Sequence, residues 1–199
     1  GEPKSIFFEI FFKSKKLYKF KSPLILISSK KILKSQMKKF KFKKKLNLID
    51  YEKLDKLRIN NDVINLIDID LDIKKKHIFI KRCFDIAFKI INSNLTNKFI
   101  NGPINKSKFL NKKYLGITEY ISKKFRIKKN AMLIYNKDLS VCPITTHLPI
   151  KLVSKKISQN LIKEKVKLIN NFYKKNMGFK PKIAVTGLNP HCESILKLN

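Results

Sequence analysis

The chain has 199 residues, of which 43% are hydrophobic, and a formal net charge of +32 at pH 7. This length is enough for one sizeable core or two small ones, and no apolar run approaches the length of a membrane span. Arginine supplies only three of the 46 basic residues; lysine, isoleucine and asparagine, which have AT-rich codons, are abundant. Since arginine is the side chain suited to bidentate base and phosphate contacts, we attribute the lysine excess to codon composition rather than to nucleic acid binding.

The cysteines and the chain ends bear on the compartment and on completeness. Cys83, Cys142 and Cys192 are odd in number, widely spaced and form no CxxC pair. This pattern predicts a reducing, cytoplasmic compartment rather than a disulfide framework. The chain begins Gly1-Glu2-Pro3 without a methionine, and we expect it to be a piece of a longer polypeptide.

Helices and strands alternate along the first half of the chain. The predicted helix over 5–17 places Ile6, Phe7, Ile10 and Phe11 on one face. The predicted helix over 78–92 has the clearest helical spacing of apolar residues. Lysines should protect the second strand as an edge strand. In chain order the predicted elements are a helix over 5–17, a strand over 23–28, a helix over 29–39, an edge strand over 40–49, a polar connection over 51–61, a strand over 63–69 and a helix over 78–92.

The second half continues the alternation, which is typical of a layered α/β fold. Two short helical pieces within 106–125 are separated at Gly116. A long amphipathic helix should end at Gly178. The remaining predicted elements are strands at 131–135 and 139–144 joined by a hairpin turn, the long helix at 158–175, and a strand at 183–188.

Two of the three histidines follow predicted strands directly. His147 lies in Thr145-Thr146-His147-Leu148-Pro149, and His191 lies in Asn189-Pro190-His191. If the two strands are parallel, both imidazoles project into the crevice beyond their carboxyl ends. They could then form part of a metal site that needs further ligands. The alternative is two surface histidines at loop starts, and we expect His77 to face solvent.

Four segments in fixed order resemble one enzyme family, and the match extends over about residues 77–193. The resemblance is to the 4-hydroxythreonine-4-phosphate dehydrogenases of pyridoxal phosphate biosynthesis. The opening Gly1-Glu2-Pro3 resembles the family's start only poorly, because the family has glycines where this chain has Lys4, Ser5, Phe7 and Phe8. The four segments are Asn101-Gly102-Pro103-Ile104-Asn105-Lys106, Gly116-Ile117-Thr118-Glu119, Thr145-Thr146-His147-Leu148-Pro149 and Gly187-Leu188-Asn189-Pro190-His191.

The resemblance implies a three-layer α/β/α fold of the isocitrate/isopropylmalate dehydrogenase type. Residues 1–199 would be a single α/β fragment of a longer two-domain dehydrogenase that acts as a cytoplasmic homodimer. The implied reaction is the oxidation of 4-phosphooxy-L-threonine by NAD to a β-keto acid, which decarboxylates to 3-amino-2-oxopropyl phosphate. The chain has no GxGxxG stretch, so a Rossmann-type NAD fingerprint is not available. The resemblance places most NAD contacts beyond the chain, and we expect residues 1–199 alone to lack activity.

The resemblance also assigns site residues. In the family three histidines hold the metal; the first two match His147 and His191, and the third lies beyond this chain. Thr118 matches a substrate-binding threonine, whereas Ile117 stands where the family has a substrate-binding histidine. Lys106 could steer the substrate phosphate, although a plain surface lysine is equally compatible with its setting. Two histidines leave zinc, magnesium, manganese and cobalt open as the metal.

Two other functions are compatible with the same residues. A related dehydrogenase acting on threonate or erythronate 4-phosphate would be consistent with Ile117 at the histidine position. A non-catalytic nucleic-acid-binding protein would show steep, salt-dependent binding with a defined site size.

Glu119 could cap its helix or orient a neighbour, or it could be a solvated helix carboxylate.

Overall fold

The computed structural model describes residues 2–3, 5–53, 58–70, 75–110 and 113–188. The chain divides into two compact units, Gly1–Asn111 and Lys112–Asn199. Both units contain helices, and the sheet of the described residues belongs to the first unit.

A three-stranded parallel sheet lies at the centre of the first unit. Its strands are β1 (Ile25–Ser28), β2 (Leu46–Leu48) and β3 (Ile64–Asp68), in the spatial order β1-β3-β2. β3 is the central strand because it pairs with both β1 and β2. Four of its five residues are buried, which is typical of a parallel strand covered on both faces. The strands predicted over 23–28 and 63–69 are confirmed, and the edge strand predicted over 40–49 shortens to β2.

One buried polar side chain, Asn65, joins the sheet to the segments around it. Asn65 is 1% exposed and lies in β3. Its Nδ2 donates to the carbonyl oxygens of Leu24 at 3.0 Å and Asn60 at 2.7 Å. Its Oδ1 accepts from Asn47 Nδ2 at 3.1 Å. The amide is therefore satisfied at both ends, as a buried polar group requires.

Among the described residues the first unit has four helices, and the face that α1 buries differs from the predicted one. The helices are α1 (Phe7–Leu17), α2 (Lys30–Lys39), α3 (Lys76–Asn92) and α4 (Lys106–Leu110). In α1 the buried pair is Phe8 and Phe12, whereas Ile6 and Ile10 are 61% and 53% exposed. Phe12 stacks on the Phe42 ring with centroids 4.6 Å apart. The aromatic contact across the core, rather than the apolar spacing alone, sets the orientation of α1.

The second unit contains α5 (Ile117–Lys124), α6 (Ile150–Lys156) and α7 (Gln159–Met177). α7 has the capping that its sequence predicts. The Ser158 hydroxyl accepts a hydrogen bond from the Leu161 N–H at 3.2 Å, and Gly178 ends the helix in the left-handed region at φ 79°. The break between the pieces at 106–125 lies at Gly116, as predicted, and α6 was not predicted.

The strands predicted at 131–135, 139–144 and 183–188 are not formed. The first two meet only in a single antiparallel bridge between Ile134 and Val141. These bridge residues are 57% and 52% exposed, and Val185 is 59% exposed without strand structure. A short apolar run forms a strand only when a neighbouring strand satisfies its backbone groups, and the described residues supply no such neighbour here.

The α/β fold class is confirmed by the combination of helices with a parallel sheet. Across the residues that the structure covers, no helix combines the length and the apolar character needed to cross a bilayer.

Candidate functional site

His147 lies on a loop immediately before α6, not at the end of a strand. It is exposed, and its φ of 58° places it in the left-handed region. Pro149, which directly precedes α6, has a φ of −57° that suits a helix start. A non-glycine residue in the left-handed region costs about 1–2 kcal/mol, and such residues concentrate at functional sites. The loop therefore presents His147 in a conformation that the surrounding structure has to maintain.

The start of α5 lies against His147. A Cβ atom on Gly116 would lie 3.4 Å from His147 Nε2 and 2.7 Å from Glu119 Oε2. Glu119 Oε2 is buried and has no hydrogen-bond partner. The Gly116–Glu119 segment and the Thr145–Pro149 segment, which are well separated in sequence, are thus neighbours in space.

Thr118 and Ile117 occupy the first turn of α5. Gly116 precedes them in an extended conformation, with φ −159° and ψ 179°. Thr118 is exposed and Ile117 is half-buried. Because α5 begins beside His147, the turn that carries Thr118 and Ile117 is brought to the same end of the unit as the histidine.

The Asn101–Lys106 segment lies in the first unit, beside the start of the chain. The Glu2 N–H donates to the Pro103 carbonyl at 2.7 Å, and the Asn105 N–H donates to Glu2 Oε1 at 3.3 Å. Lys106 is exposed at the first position of α4. Exposure leaves the ammonium group available to an anion but does not by itself make a site.

Two cysteines, Cys83 and Cys142, lie among the described residues, and neither is set up as a reactive thiol. Burial raises the pKa of the Cys142 thiol, and the nearby Lys165 ammonium opposes that rise. Burial also raises the pKa of Cys83, to about 11, against the lowering effect of Arg82. Both thiols are therefore protonated at neutral pH and poorly suited to metal binding or nucleophilic attack. His77 is exposed, as predicted.

The metal prediction can be compared with the donor atoms that the structure places. His191 and Cys192 lie outside the described residues, so the predicted closeness of His147 and His191 stays a prediction. Among the described residues no cluster of three or more His, Cys, Asp or Glu side chains is present. The exposed imidazole of His147 fits part of a divalent-metal centre, because imidazole nitrogen suits zinc, manganese and cobalt.

Sequence analysis left Glu119 as a helix cap, an orienting residue or a solvated helix carboxylate. The structure places it close to His147, on either side of the space where a side chain on Gly116 would lie. The only sequence signal was the position of Glu119 three residues after a glycine in a recognisable segment. That spacing does not identify a partner well separated along the chain.

Comparison with known proteins decides the family. The model of the family described as pyridoxal phosphate biosynthetic protein PdxA matches residues 19–195. The chain belongs to the PdxA family. The family resemblance read from the four segments is thereby confirmed.

Two relatives of this PdxA-family chain carry the same enzyme name. It is 32% identical to the 4-hydroxythreonine-4-phosphate dehydrogenase of a Sulfurihydrogenibium species, over 96% of this chain and 62% of that protein. It is 27% identical to the enzyme of the same name from Aquifex aeolicus, over 96% of this chain and 61% of that protein. The chain thus spans about three fifths of the length of these curated relatives.

Solved structures show the same fold. The 4-hydroxythreonine-4-phosphate dehydrogenase of Klebsiella pneumoniae superposes with a TM-score of 0.75 at 23% identity, covering 96% of this chain and 63% of that one. The enzyme of the same name from Burkholderia phymatum gives a TM-score of 0.69 at 22% identity, covering 96% and 62%. At this identity the likeness establishes the α/β fold of the PdxA-family chain and nothing beyond it.

Proposed function

We propose that the protein is an NAD- and divalent-metal-dependent 4-hydroxythreonine-4-phosphate dehydrogenase. It would oxidise 4-phosphooxy-L-threonine to a β-keto acid that decarboxylates to 3-amino-2-oxopropyl phosphate, in the biosynthesis of pyridoxal 5′-phosphate. The observation that carries the proposal is membership of the PdxA family over residues 19–195. The contact between the Gly116–Glu119 segment and His147 supports it, because two of the family's segments lie together.

His147 and His191 would hold the metal through neutral ring nitrogens, with a further ligand from outside this chain. When bound, the metal would lower the pKa of the substrate hydroxyl, and NAD would accept the hydride. The exposure of His147 supports this assignment, because its ring is accessible to a metal and to a substrate. The left-handed backbone of His147 supports it further.

Thr118 would bind the substrate. The Thr118 hydroxyl is exposed in the first turn of α5 and can both donate and accept a hydrogen bond. A role of the Lys106 ammonium in attracting the phosphate stays a prediction. Ile117, at the position of the family's histidine, offers only apolar contact. Homodimer formation and a cytoplasmic location stay predictions.

The test is the reaction itself, measured with the full-length gene product. With 4-phosphooxy-L-threonine, NAD and a divalent metal, NADH should form, and a chelator should stop its formation until metal is restored. His147→Gln should lower kcat/KM at least about 100-fold, since loss of a ligand should exceed the effect of losing a ligand's partner. His77→Gln, an exposed histidine in the other unit, is the matched control and should leave the rate unchanged. Absence of turnover with every metal would refute the proposal.

Ile117 favours one alternative substrate class. An isoleucine cannot supply the hydrogen bond of the family's histidine, so threonate or erythronate 4-phosphate should be assayed beside the phosphorylated threonine. Restoring the histidine with Ile117→His should retain activity on the phosphorylated threonine if that is the substrate. A large loss of kcat/KM would instead show that the pocket is shaped around isoleucine.

A further inference from the structure

The carboxylate of Glu119 lies beside His147 with one oxygen unused. Oε2 has essentially no exposed surface and no hydrogen-bond partner. Glu119 has no ion pair among the described residues, although lysine is abundant in the chain. A buried carboxylate oxygen without a donor is unfavourable, so its environment has to supply a proton donor or a cation.

His147 Nε2 is a potential donor beside the same glycine, Gly116. Nε2 and Oε2 both lie within 3.4 Å of the point where a Cβ on residue 116 would be. They are not hydrogen-bonded in this conformation, and a rotation of the flexible Glu119 side chain would join them. The absence of a side chain on Gly116 leaves the space in which the two groups can meet.

The burial of Oε2 favours a hydrogen bond to the ring over direct binding of a metal. His147 is exposed whereas Oε2 is closed to solvent, so a metal would reach the ring more readily than the carboxylate oxygen. Histidines that bind metals generally donate their second ring N–H to a carboxylate or carbonyl, which orients the ring and fixes its tautomer. Glu119 is placed to accept that second N–H.

We infer that Glu119 is a positioning residue for His147: its carboxylate accepts a hydrogen bond from Nε2–H, so that Nδ1 is the ring nitrogen that binds the metal. The inference rests on the proposed role of His147 as a metal ligand. It assigns Glu119 no contact with the metal or the substrate. It also explains glycine at position 116, because a Cβ there would lie 2.7 Å from the carboxylate oxygen.

Nuclear magnetic resonance of the full-length protein tests the inference without an activity assay. The protein is labelled with ¹⁵N-histidine and loaded with ¹¹³Cd²⁺, and the His147 signals are identified by their loss in His147→Gln. We expect cadmium coupling to Nδ1 of His147, with the proton retained on Nε2. Coupling to Nε2 would overturn the inference, because that nitrogen could not then donate to Glu119.

Zinc affinity, measured by competition with a chelator, gives the second readout. Glu119→Gln keeps the size of the side chain and should weaken zinc binding about 10–100-fold. Glu164→Gln is the matched control: it removes one carboxylate from α7 of the same unit, where Glu164 faces Lys129 at 4.0 Å, and should leave affinity unchanged. Equal affinity of wild type and Glu119→Gln would overturn the role of Glu119 alone. Failure of wild type to bind metal at His147 would overturn both this inference and the proposed metal site.

Discussion

Alanine substitutions at two buried glycines, Gly102 and Gly116, should have opposite consequences for stability and for function. Neither glycine has a positive φ, so alanine meets no backbone strain and the neighbours decide the outcome. At Gly102 the new Cβ would lie 2.4 Å from Cδ2 and 2.8 Å from Cγ of Phe7. At Gly116 its nearest neighbour would be the far end of the Glu119 side chain, which can rotate away.

The free energies of unfolding follow from these contacts. Overpacking by one methyl group costs about 1–3 kcal/mol. Replacing glycine recovers about 0.4–1 kcal/mol by restricting the unfolded chain. The Phe7 ring cannot move freely, because it packs against Phe8 and Phe11 with centroids 5.7 and 6.4 Å apart. Gly102→Ala should therefore destabilise by about 1–2 kcal/mol, whereas Gly116→Ala should change stability by less than about 0.5 kcal/mol.

Urea unfolding followed by circular dichroism measures the free energy of unfolding of both variants. Zinc affinity then tests whether Gly116→Ala affects the metal site. Gly116→Ala should weaken zinc binding despite its near-normal stability, because it displaces the Glu119 carboxylate from His147. Phe7→Ala should remove most of the penalty of Gly102→Ala, with a coupling free energy of about 1 kcal/mol in a double-mutant cycle. Equal stability of wild type and Gly102→Ala, or no coupling to Phe7, would refute the steric reasoning.

Three further outcomes follow from other parts of the structure. His147→Gly should be about 1 kcal/mol more stable than His147→Ala in urea unfolding, because glycine alone relieves the left-handed backbone; equal stability would contradict the observed φ. Asn65→Leu should lower the free energy of unfolding by about 1–2 kcal/mol, because it removes the hydrogen bonds that the buried Asn65 amide donates to the carbonyls of Leu24 and Asn60; an unchanged free energy of unfolding would contradict this. The pKa of Cys83, about 11, leaves roughly one thiol in a thousand ionised at pH 8. Iodoacetamide should therefore alkylate Cys83 more slowly than Cys142, which mass spectrometry can follow. The reverse order would contradict the burial of Cys83.

The long helices were predictable from local sequence because their determinants are local. The apolar spacing of α3 (Lys76–Asn92) and the caps of α7 at Ser158 and Gly178 each depend on residues within a few positions. β3 was equally predictable, since a short, largely apolar run is typical of a strand buried on both faces. The family itself was recognisable from four short segments in a fixed order.

The failed strand predictions show where local sequence is insufficient. Residues 139–144 and 183–188 are as apolar as β1 (Ile25–Ser28), but β1 pairs in parallel with β3 and they have no comparable partner among the described residues. Strand formation depends on hydrogen bonds to a second segment, which the run itself does not specify. Apolar content therefore identified the candidate strands, and backbone pairing with a second segment decided which of them formed.

Sequence by itself determined the long helices, the central strand and the identity of the candidate ligand His147. Tertiary structure alone decided that Phe8 and Phe12, rather than Ile6 and Ile10, enter the core, because that choice depends on contact with Phe42. It alone brought Glu119 to His147 as well. Helix periodicity and capping act over a few residues, whereas the burial of a carboxylate beside an imidazole depends on how distant segments pack.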